Sequence, residues 1–364
     1  MSKKGKGESK APPADPHVAR MLRKIPLTSA LDTGPVPLPE VKAPSTEGLS
    51  VHVPSPPDFT RDDLIRRFNE LVRAHAKRRD RAMGEQVELG DEVQLDVLGY
   101  ARGKLIPFSA RVGVWSALEP QALLPGFAET IAASAKVGDS LQLEVVLPDD
   151  YPVEALRGVP ARFIVDVRAA FALTLPDAES KAFLKALGRG KDLDEVMGSV
   201  SQELERELSD QLWLMAQDRV FDELVRRADV KVPRELVDEE IRRRWGQLEG
   251  KQLAEKGFDA AEQKEALDVW LEDPVTRRDC ERRLQVGLVL KAIVERDKLE
   301  LTPTKVDELL EALAPAYGFS AEEAKAGVRD EPTAAMHGLF WHLLAVSHVM
   351  GKATVHFGDA PAKK

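Results

Sequence analysis

The chain has very little cysteine and no long apolar run. Cys280 is the one cysteine among 364 residues, so no internal disulfide can form, which fits a reducing compartment. No apolar stretch approaches the roughly 18 residues that a membrane helix needs. The N-terminal segment MSKKGKGESKAPPADP has a basic start but no apolar run behind it, so it does not match a secretory signal. These absences predict a cytoplasmic protein with no membrane partner.

Aromatic residues and net positive charge are also scarce. Aromatics make up 5% of the chain against 43% for all hydrophobic residues, so the buried cores should consist mostly of Leu, Val and Ala. The formal net charge is -9, whereas a general nucleic-acid binder would usually be basic. Negative charge keeps a soluble protein dispersed by self-repulsion. The length of 364 residues predicts two or three domains.

The first part of the chain is rich in Pro, Gly, Ser and Lys and shows no helical period. We interpret residues 1–35 as a disordered tail and residues 36–85 as an extended arm followed by a linker helix. Proline fixes φ and restricts the residue before it, which favours an extended chain. A plain linker is the alternative. The helix should begin at Thr60, because Thr60 and Asp63 have the spacing of a capping box.

A basic run lies on this helix and just after it. Its members are Arg66, Arg67, Arg73, Lys77, Arg78, Arg79 and Arg81. A run this short is usually a solvated face, and contact with RNA or another anion is the alternative. We therefore expect no specific nucleic-acid partner.

Residues 86–173 have the pattern of a small α+β domain. Apolar residues alternate with polar ones in three segments, which predicts antiparallel strands with one buried face. The alternating residues are Val93, Leu95 and Val97, then Leu141, Leu143 and Val145, then Phe163, Val165 and Val167. Gly and Pro mark the turns between them. Pro125 and Gly126 precede a short helical stretch that runs from Phe127 to Ala133.

Residues 174–355 are helical by pattern, and residues 356–364 form a second disordered tail. This half has no HExxH, CxxC or nucleophile elbow, so we expect no metal and no cofactor. The run Gly188–Lys191 lacks the spacing of a phosphate loop and follows no strand, so a turn is expected. His337, His342 and His348 do not have the spacing of a helical zinc site.

Four blocks of the middle domain resemble the FKBP family as it occurs inside trigger factor. They are GDEVQLDVLG (90–99), LLPGFAETI (123–131), KVGDSLQLEVVLPDDYP (136–152) and ARFIVDV (161–167). Downstream, the segment RRLQVGLVLKAIVERDKLELTPTKVDELLEALAPAYG is similar to the core of the trigger factor helical domain. The first 35 residues do not resemble the family's ribosome-docking domain, which makes ribosome contact doubtful. The fold class expected is multidomain α+β: an FKBP-like antiparallel sheet followed by an all-α domain.

The resemblance implies a prolyl cis-trans isomerase site. The barrier to rotation, about 18–20 kcal/mol, comes from the double-bond character of the amide, so a dry apolar cup that favours the twisted state suffices. By position, Phe127 supplies an aromatic floor, Tyr151 a hydroxyl donor, and Leu123 and Leu124 a wall. Simple core packing is the alternative for Phe127 and Tyr151. The candidate proline pocket is Tyr151, Phe127, Leu124, Leu123, Ile106, Val97 and Val165.

Some of these positions depart from the family. Val97, Ile106 and Val165 stand where aromatics are usual, and each lost aromatic removes about 1 kcal/mol or more of binding. We therefore expect weak or absent isomerase activity. The helical half should hold unfolded or nascent polypeptides without ATP; a dedicated partner-binding scaffold is the alternative. Its candidate contact residues are Trp213, Met215, Trp245, Trp270, Met336, Phe340 and Trp341.

Overall fold

The computed structural model describes residues 36–106, 109–120, 122–151, 153–314, 320–322, 325 and 334–358. The tail predicted at residues 1–35 lies outside this part of the chain, as do residues 359–364 of the tail predicted at 356–364. The chain divides into two compact units. The first unit contains residues 1–58, 204–236 and 281–364, and the second contains residues 59–203 and 237–280.

Strands and helices are segregated along the chain as the sequence predicts. The strands are β1 (Ser50–Val53), β2 (Lys77–Asp80), β3 (Glu92–Ala101), β4 (Lys104–Leu105), β5 (Arg111–Ala117), β6 (Ser140–Val146), β7 (Pro160–Thr174) and β8 (Thr354–Phe357). The helices are α1 (Arg61–Ala74), α2 (Phe127–Ser134), α3 (Lys181–Leu187), α4 (Leu193–Ala228), α5 (Arg234–Gln247), α6 (Glu249–Glu255), α7 (Ala260–Glu272), α8 (Pro274–Asp297), α9 (Pro303–Leu313) and α10 (Ala334–Lys352). The predicted α+β class, an antiparallel sheet followed by helices, is confirmed.

The second unit is built on a six-stranded antiparallel sheet. Strand β7 lies between β2 and β3, β4 and β5 both pair with β3, and β6 pairs with β7. Side chains alternate between the two faces of a strand, and α2 covers one face of this sheet through Phe127, Ala128 and Ile131. We call this face the inner face. The opposite face, which carries Asp96, Leu98 and Asp166, is the outer face.

The sheet begins earlier in the chain than the sequence indicates. Strand β2 pairs with the end of β7, from Lys77 opposite Thr174 to Asp80 opposite Phe171. Residues 77–80 were assigned to the arm and linker, and their four polar side chains give no apolar alternation that could have identified an edge strand. The domain predicted at 86–173 therefore extends to 77–174.

The basic run around β2 forms ion pairs within the second unit. Arg81 is nearly buried, with 6% of its side chain exposed, and it binds the carboxylate of Asp91. Arg79 lies 2.6 Å from Glu85 and keeps 61% of its side chain exposed. The hydrogen bond that Arg81 donates to the Asp91 carboxylate raises the pKa of Arg81, so this guanidinium stays charged. These pairs favour a structural role for the run over contact with RNA.

The arm, residues 36–58, packs within the first unit. Strand β1 runs parallel to β8, with Ser50 opposite Thr354, so the helical domain is not purely α-helical and its last strand passes the boundary predicted at 355. Leu49 and Val51 of the arm belong to the same buried cluster as residues of α4, α8 and α10. The Arg227 guanidinium of α4 donates hydrogen bonds to the carbonyl oxygens of Glu47 (2.9 Å) and Ser45 (3.0 Å).

Candidate functional site

The seven residues of the predicted proline pocket lie together on the inner face. Two of them lie in strands β3 and β7, two lie in loops that follow strands, and three lie in or just before α2. All seven belong to one apolar cluster. They are Val97, Ile106, Leu123, Leu124, Phe127, Tyr151 and Val165. The structure thus brings together residues that are far apart in sequence; their catalytic role stays a prediction.

Three of the seven are buried core residues: Val165, Ile106 and Phe127. Val165 is 0% exposed and Ile106 is 1% exposed, so neither offers much surface to a ligand. Val165 of β7 lies directly opposite Val97 of β3 and also opposite Leu141 of β6. Ile106 and Val165 thus lie in the core, with Val165 beside the partly exposed Val97, and their place in the proline pocket stays a prediction.

Phe127 is held by an aromatic neighbour that the sequence reasoning did not include in the site. The ring of Phe163 in β7 meets Phe127 edge to face, with ring centroids 5.1 Å apart and an angle of 78°. Phe163 fits there because residue 99 is glycine. A Cβ on Gly99 would lie 2.5 Å from Cε1 of Phe163 and 3.0 Å from Cβ of Ser109. The position of Phe127 in the pocket floor thus depends on the absence of a Cβ at Gly99 in β3.

Tyr151 is the polar group of the cluster. Its backbone is fixed on both sides, because its N–H donates to the carbonyl of Pro148 (3.0 Å) and its carbonyl accepts from Arg157 Nε (2.9 Å). Burial raises the pKa of the Tyr151 hydroxyl, and the charge of Glu249 raises it further while Arg111 lowers it. The phenol is therefore protonated at neutral pH and can donate a hydrogen bond to a substrate carbonyl.

The outer face carries a charged cluster that sequence patterns did not reveal. Asp96 of β3 lies opposite Asp166 of β7, and Lys256 contacts both carboxylates. No short-range spacing could indicate this group, since Lys256 is far from both aspartates along the chain.

A cavity of about 280 Å³ lies elsewhere in the second unit. Its lining comes from β4 and α7 and includes Lys104, Lys264, Asp268 and Glu272. Charged side chains of both signs do not make the dry apolar cup that a proline ring needs, so we do not assign this cavity to the candidate site.

Residues 192–345 match the family described as the bacterial trigger factor protein (TF) C-terminus. The chain is also 27% identical over 290 residues to the trigger factor of Shouchella clausii, covering 79% of this chain and 66% of that protein. With the trigger factor of Pseudoalteromonas atlantica it shares 26% over 325 residues, covering 87% of this chain and 71% of that one. The chain is thus similar in sequence to trigger factors over most of its length. It spans 66% and 62% of the length of the relatives from Shouchella clausii and Actinobacillus pleuropneumoniae.

A solved structure of a trigger factor chaperone also aligns with this protein. The TM-score is 0.32 at 16% identity, covering 86% of this chain and 72% of that one. A score this low does not define a shared fold over the aligned length.

The residues of the helical half that are predicted to contact unfolded polypeptides divide into core and surface positions. Trp270 and Phe340 are buried, so they are corrected to core residues. Trp213, Trp245 and Trp341 are partly exposed, as is the side chain of Met215. The side chain of Met336 lies outside the described residues. The ring of Trp213 packs edge to face on Phe357 of β8, with centroids 5.3 Å apart.

Among the histidines of the last helix, the described side chains are those of His342 and His348. His348 Nε2 lies 2.7 Å from Asp297 Oδ2, and the side chain of His337 is not among those described. Within the part of the chain that the structure describes, no three His, Cys, Asp or Glu side chains cluster as metal ligands would. Among the same residues, no helix is both long enough and apolar enough to cross a bilayer.

Proposed function

We propose that this protein is an ATP-independent folding chaperone that holds unfolded or nascent chains. The observation that carries the proposal is the match of residues 192–345, nearly all of the helical half, to the trigger factor C-terminal family. The rings of Trp213 in α4 and Trp341 in α10 are partly exposed. Apolar patches with a polar surround are the usual sign of a surface that binds other chains.

Aggregation of a chemically denatured test protein, followed by light scattering without nucleotide, tests the chaperone proposal. We expect suppression at near-stoichiometric ratios, because a protein that only holds its clients must be present in similar amounts. Unchanged aggregation at a tenfold excess would reject the proposal.

We further propose that the FKBP-like domain is a weak prolyl cis-trans isomerase. The support is the single apolar cluster that joins Phe127, Tyr151 and the two leucines before α2. Such a cup favours the twisted imide, which has lost its resonance, and the protonated Tyr151 hydroxyl can donate to the peptide. Activity should be low because the partly exposed Val97 presents less surface to the proline ring than an aromatic residue would, and Val165 is buried.

Refolding of a proline-limited protein, with catalytic amounts of the chain, tests this second activity. Tyr151→Phe removes one hydrogen bond worth about 1 kcal/mol, so the rate should fall about fivefold. Tyr100→Phe is the matched control, because this tyrosine lies in β3 outside the pocket cluster. If both variants keep the wild-type rate, Tyr151 has no part in catalysis.

A dedicated partner-binding scaffold is the second candidate. The small side chain of the partly exposed Val97 favours it, because a shallow cup can bind a peptide without twisting it. One dominant stoichiometric partner in a pull-down, with no effect on refolding rates, would support the scaffold, whereas a broad range of unfolded clients would reject it.

A further inference from the structure

Helices α6 and α7 cover the outer face of the sheet within the second unit. Ala110, the residue before β5, is buried with Leu253 of α6 and Ala266 of α7. Further apolar side chains pack on this group from both sides, namely Leu98, Leu105, Trp245 and Phe258. A segment of the trigger factor C-terminal family region thus completes a second core against the FKBP-like sheet.

A lysine at the end of α6 joins this layer to the sheet. Lys256 Nζ lies 2.6 Å from Asp96 Oδ2 and 2.8 Å from Asp166 Oδ2. Asp96 is 2% exposed, and like charges directly opposite each other on two strands are destabilising. Burial alone would lower the pKa of Lys256, but its bonds to Asp166 and Asp96 outweigh burial and raise it. The lysine is therefore charged and offsets the repulsion, with Arg168 more distant at 3.5 Å from Asp96.

A buried carboxylate at the start of α6 joins the same layer to the loop before β5. Glu249 is 1% exposed. Its Oε2 accepts a hydrogen bond from Trp270 Nε1 (2.5 Å), and its Oε1 accepts one from the backbone N–H of Ala110 (3.3 Å). A carboxylate this deeply buried is retained at low cost only when its oxygens are bonded. The main-chain contact with Ala110 fixes the loop independently of the side chain at residue 110.

The loop held by Glu249 leads directly into the candidate pocket. The N–H of Ser109 donates to the carbonyl of Ile106 (3.1 Å), and the N–H of Ile106 donates to the carbonyl of Gly99 (2.8 Å). Ser109 Oγ accepts from the N–H of Gly99 (3.1 Å), beneath Phe163. A displacement of Ala110 would therefore be transmitted to Ile106 and to the ring that supports the floor.

We propose that Glu249 and Lys256 form a latch through which α6 and α7 position the proline pocket. The proposal rests on the isomerase function proposed above. Lys256 holds the layer on β3 and β7. Glu249 holds Ala110, and the hydrogen bond from Ser109 to Ile106 carries that position to the side of the cup formed by Val97, Phe127 and Tyr151. Both are positioning residues, since neither belongs to the cluster that would touch the substrate.

The first test measures amide hydrogen exchange next to the latch and needs no assay of activity. Lys256→Met and Glu249→Ala are compared with Lys251→Met, an exposed lysine on the same helix. Hydrogen exchange of the Ala110 and Ile106 amides should become about tenfold faster or more in the two latch variants, since removing one partner of a buried charged contact is strongly destabilising. Unchanged exchange, or an equal change in Lys251→Met, would overturn the proposal.

The second test separates positioning from simple stabilisation. Catalytic efficiency on a short proline peptide should fall about fivefold or more in both latch variants at a temperature where all variants are folded. Glu249→Gln keeps one carbonyl oxygen for the Ala110 amide and should recover part of the loss, whereas a role limited to stability would leave the folded variants equally active. Faster exchange with unchanged catalytic efficiency would reject the positioning role.

An inactive wild-type protein would reject the isomerase function by itself, and the latch is then judged on ligand binding. The affinity for the same proline peptide, followed by chemical-shift changes of the Tyr151 ring, should be about fivefold weaker in the latch variants. Equal affinities in wild type, Lys256→Met and Glu249→Ala would overturn the proposal even though the first test had shown faster exchange.

Discussion

Replacing Gly99 by alanine should displace the floor of the candidate pocket. The new Cβ would lie 2.5 Å and 2.9 Å from two carbons of the Phe163 ring and 3.0 Å from Cβ of Ser109. Ordinary contacts between carbon atoms begin at about 3.5 Å, so the ring would have to move by about 1 Å. Phe163 is buried and edge to face with Phe127, and it cannot move without shifting that second ring.

The expected cost combines two effects. Overpacking a close-packed core typically costs about 1–3 kcal/mol, and a disturbed aromatic pair loses up to about 1 kcal/mol. We expect Gly99→Ala to destabilise the sheet by about 2–3 kcal/mol, measured from the slowest-exchanging amides of β3 and β7. Gly198→Ala is the control: no atom lies within 4 Å of its added Cβ, and alanine in a helix should be neutral or stabilising.

A second substitution tests whether Phe163 is the obstacle. Phe163→Leu removes the ring carbons that the new Cβ would meet, so Gly99→Ala should cost less by about 1 kcal/mol or more in that background than in the wild type. Non-additivity of this size is expected for residues in contact. If the two substitutions are additive, the clash with Phe163 is not what makes glycine necessary at this position.

Three further predictions concern charged side chains. Arg81→Met should destabilise the sheet by about 3 kcal/mol in urea unfolding, because it leaves a buried carboxylate unpaired, whereas Arg79→Met should cause no measurable change. Hydrogen bonds from Arg226 first and then Arg227 lower the pKa of Glu223 from 4.5 to about 2. The stabilising effect of the Glu223 carboxylate is therefore complete above about pH 4.5 and is lost as the pH falls toward about 2. The difference in stability between wild type and Glu223→Gln should shrink over that interval. Arg227→Ala should speed proteolysis of the arm, since it removes hydrogen bonds to the arm carbonyls, and the exposed Arg226 gives the control, Arg226→Ala.

Features encoded by neighbouring residues could be predicted from the sequence. Thr60 and Asp63 form the predicted capping box at the start of α1. The alternating apolar residues of β3, β6 and β7 lie in strands, and α2 begins at Phe127 after the left-handed Gly126, whose φ is 81°. In each case the signal and the structure fall within one turn or one strand, where propensity and period act directly.

Features that join distant segments could not be predicted in this way. Strand β2 consists of charged residues, and its pairing depends on β7, which lies 80 or more residues later. Strand β8 is set by its pairing with β1, at the opposite end of the described chain. The same limit applies to the candidate site: the resemblance located Phe127 and Tyr151, but neither Phe163 behind the floor nor Glu249 beneath the loop has a local signature.

The facing aspartates of the outer face bear on how this protein is organised. Asp96 and Asp166 lie opposite each other on the two longest strands, an arrangement that would repel in an isolated sheet. Their compensating lysine comes from the helical half, and Leu98 and Leu105 beside them are covered by the same two helices. Without α6 and α7 the sheet would expose apolar surface and an unbalanced charge pair. The six-stranded sheet, which ends at Thr174, is thus completed by a segment that begins at Glu249, so the two functions proposed here depend on one shared core.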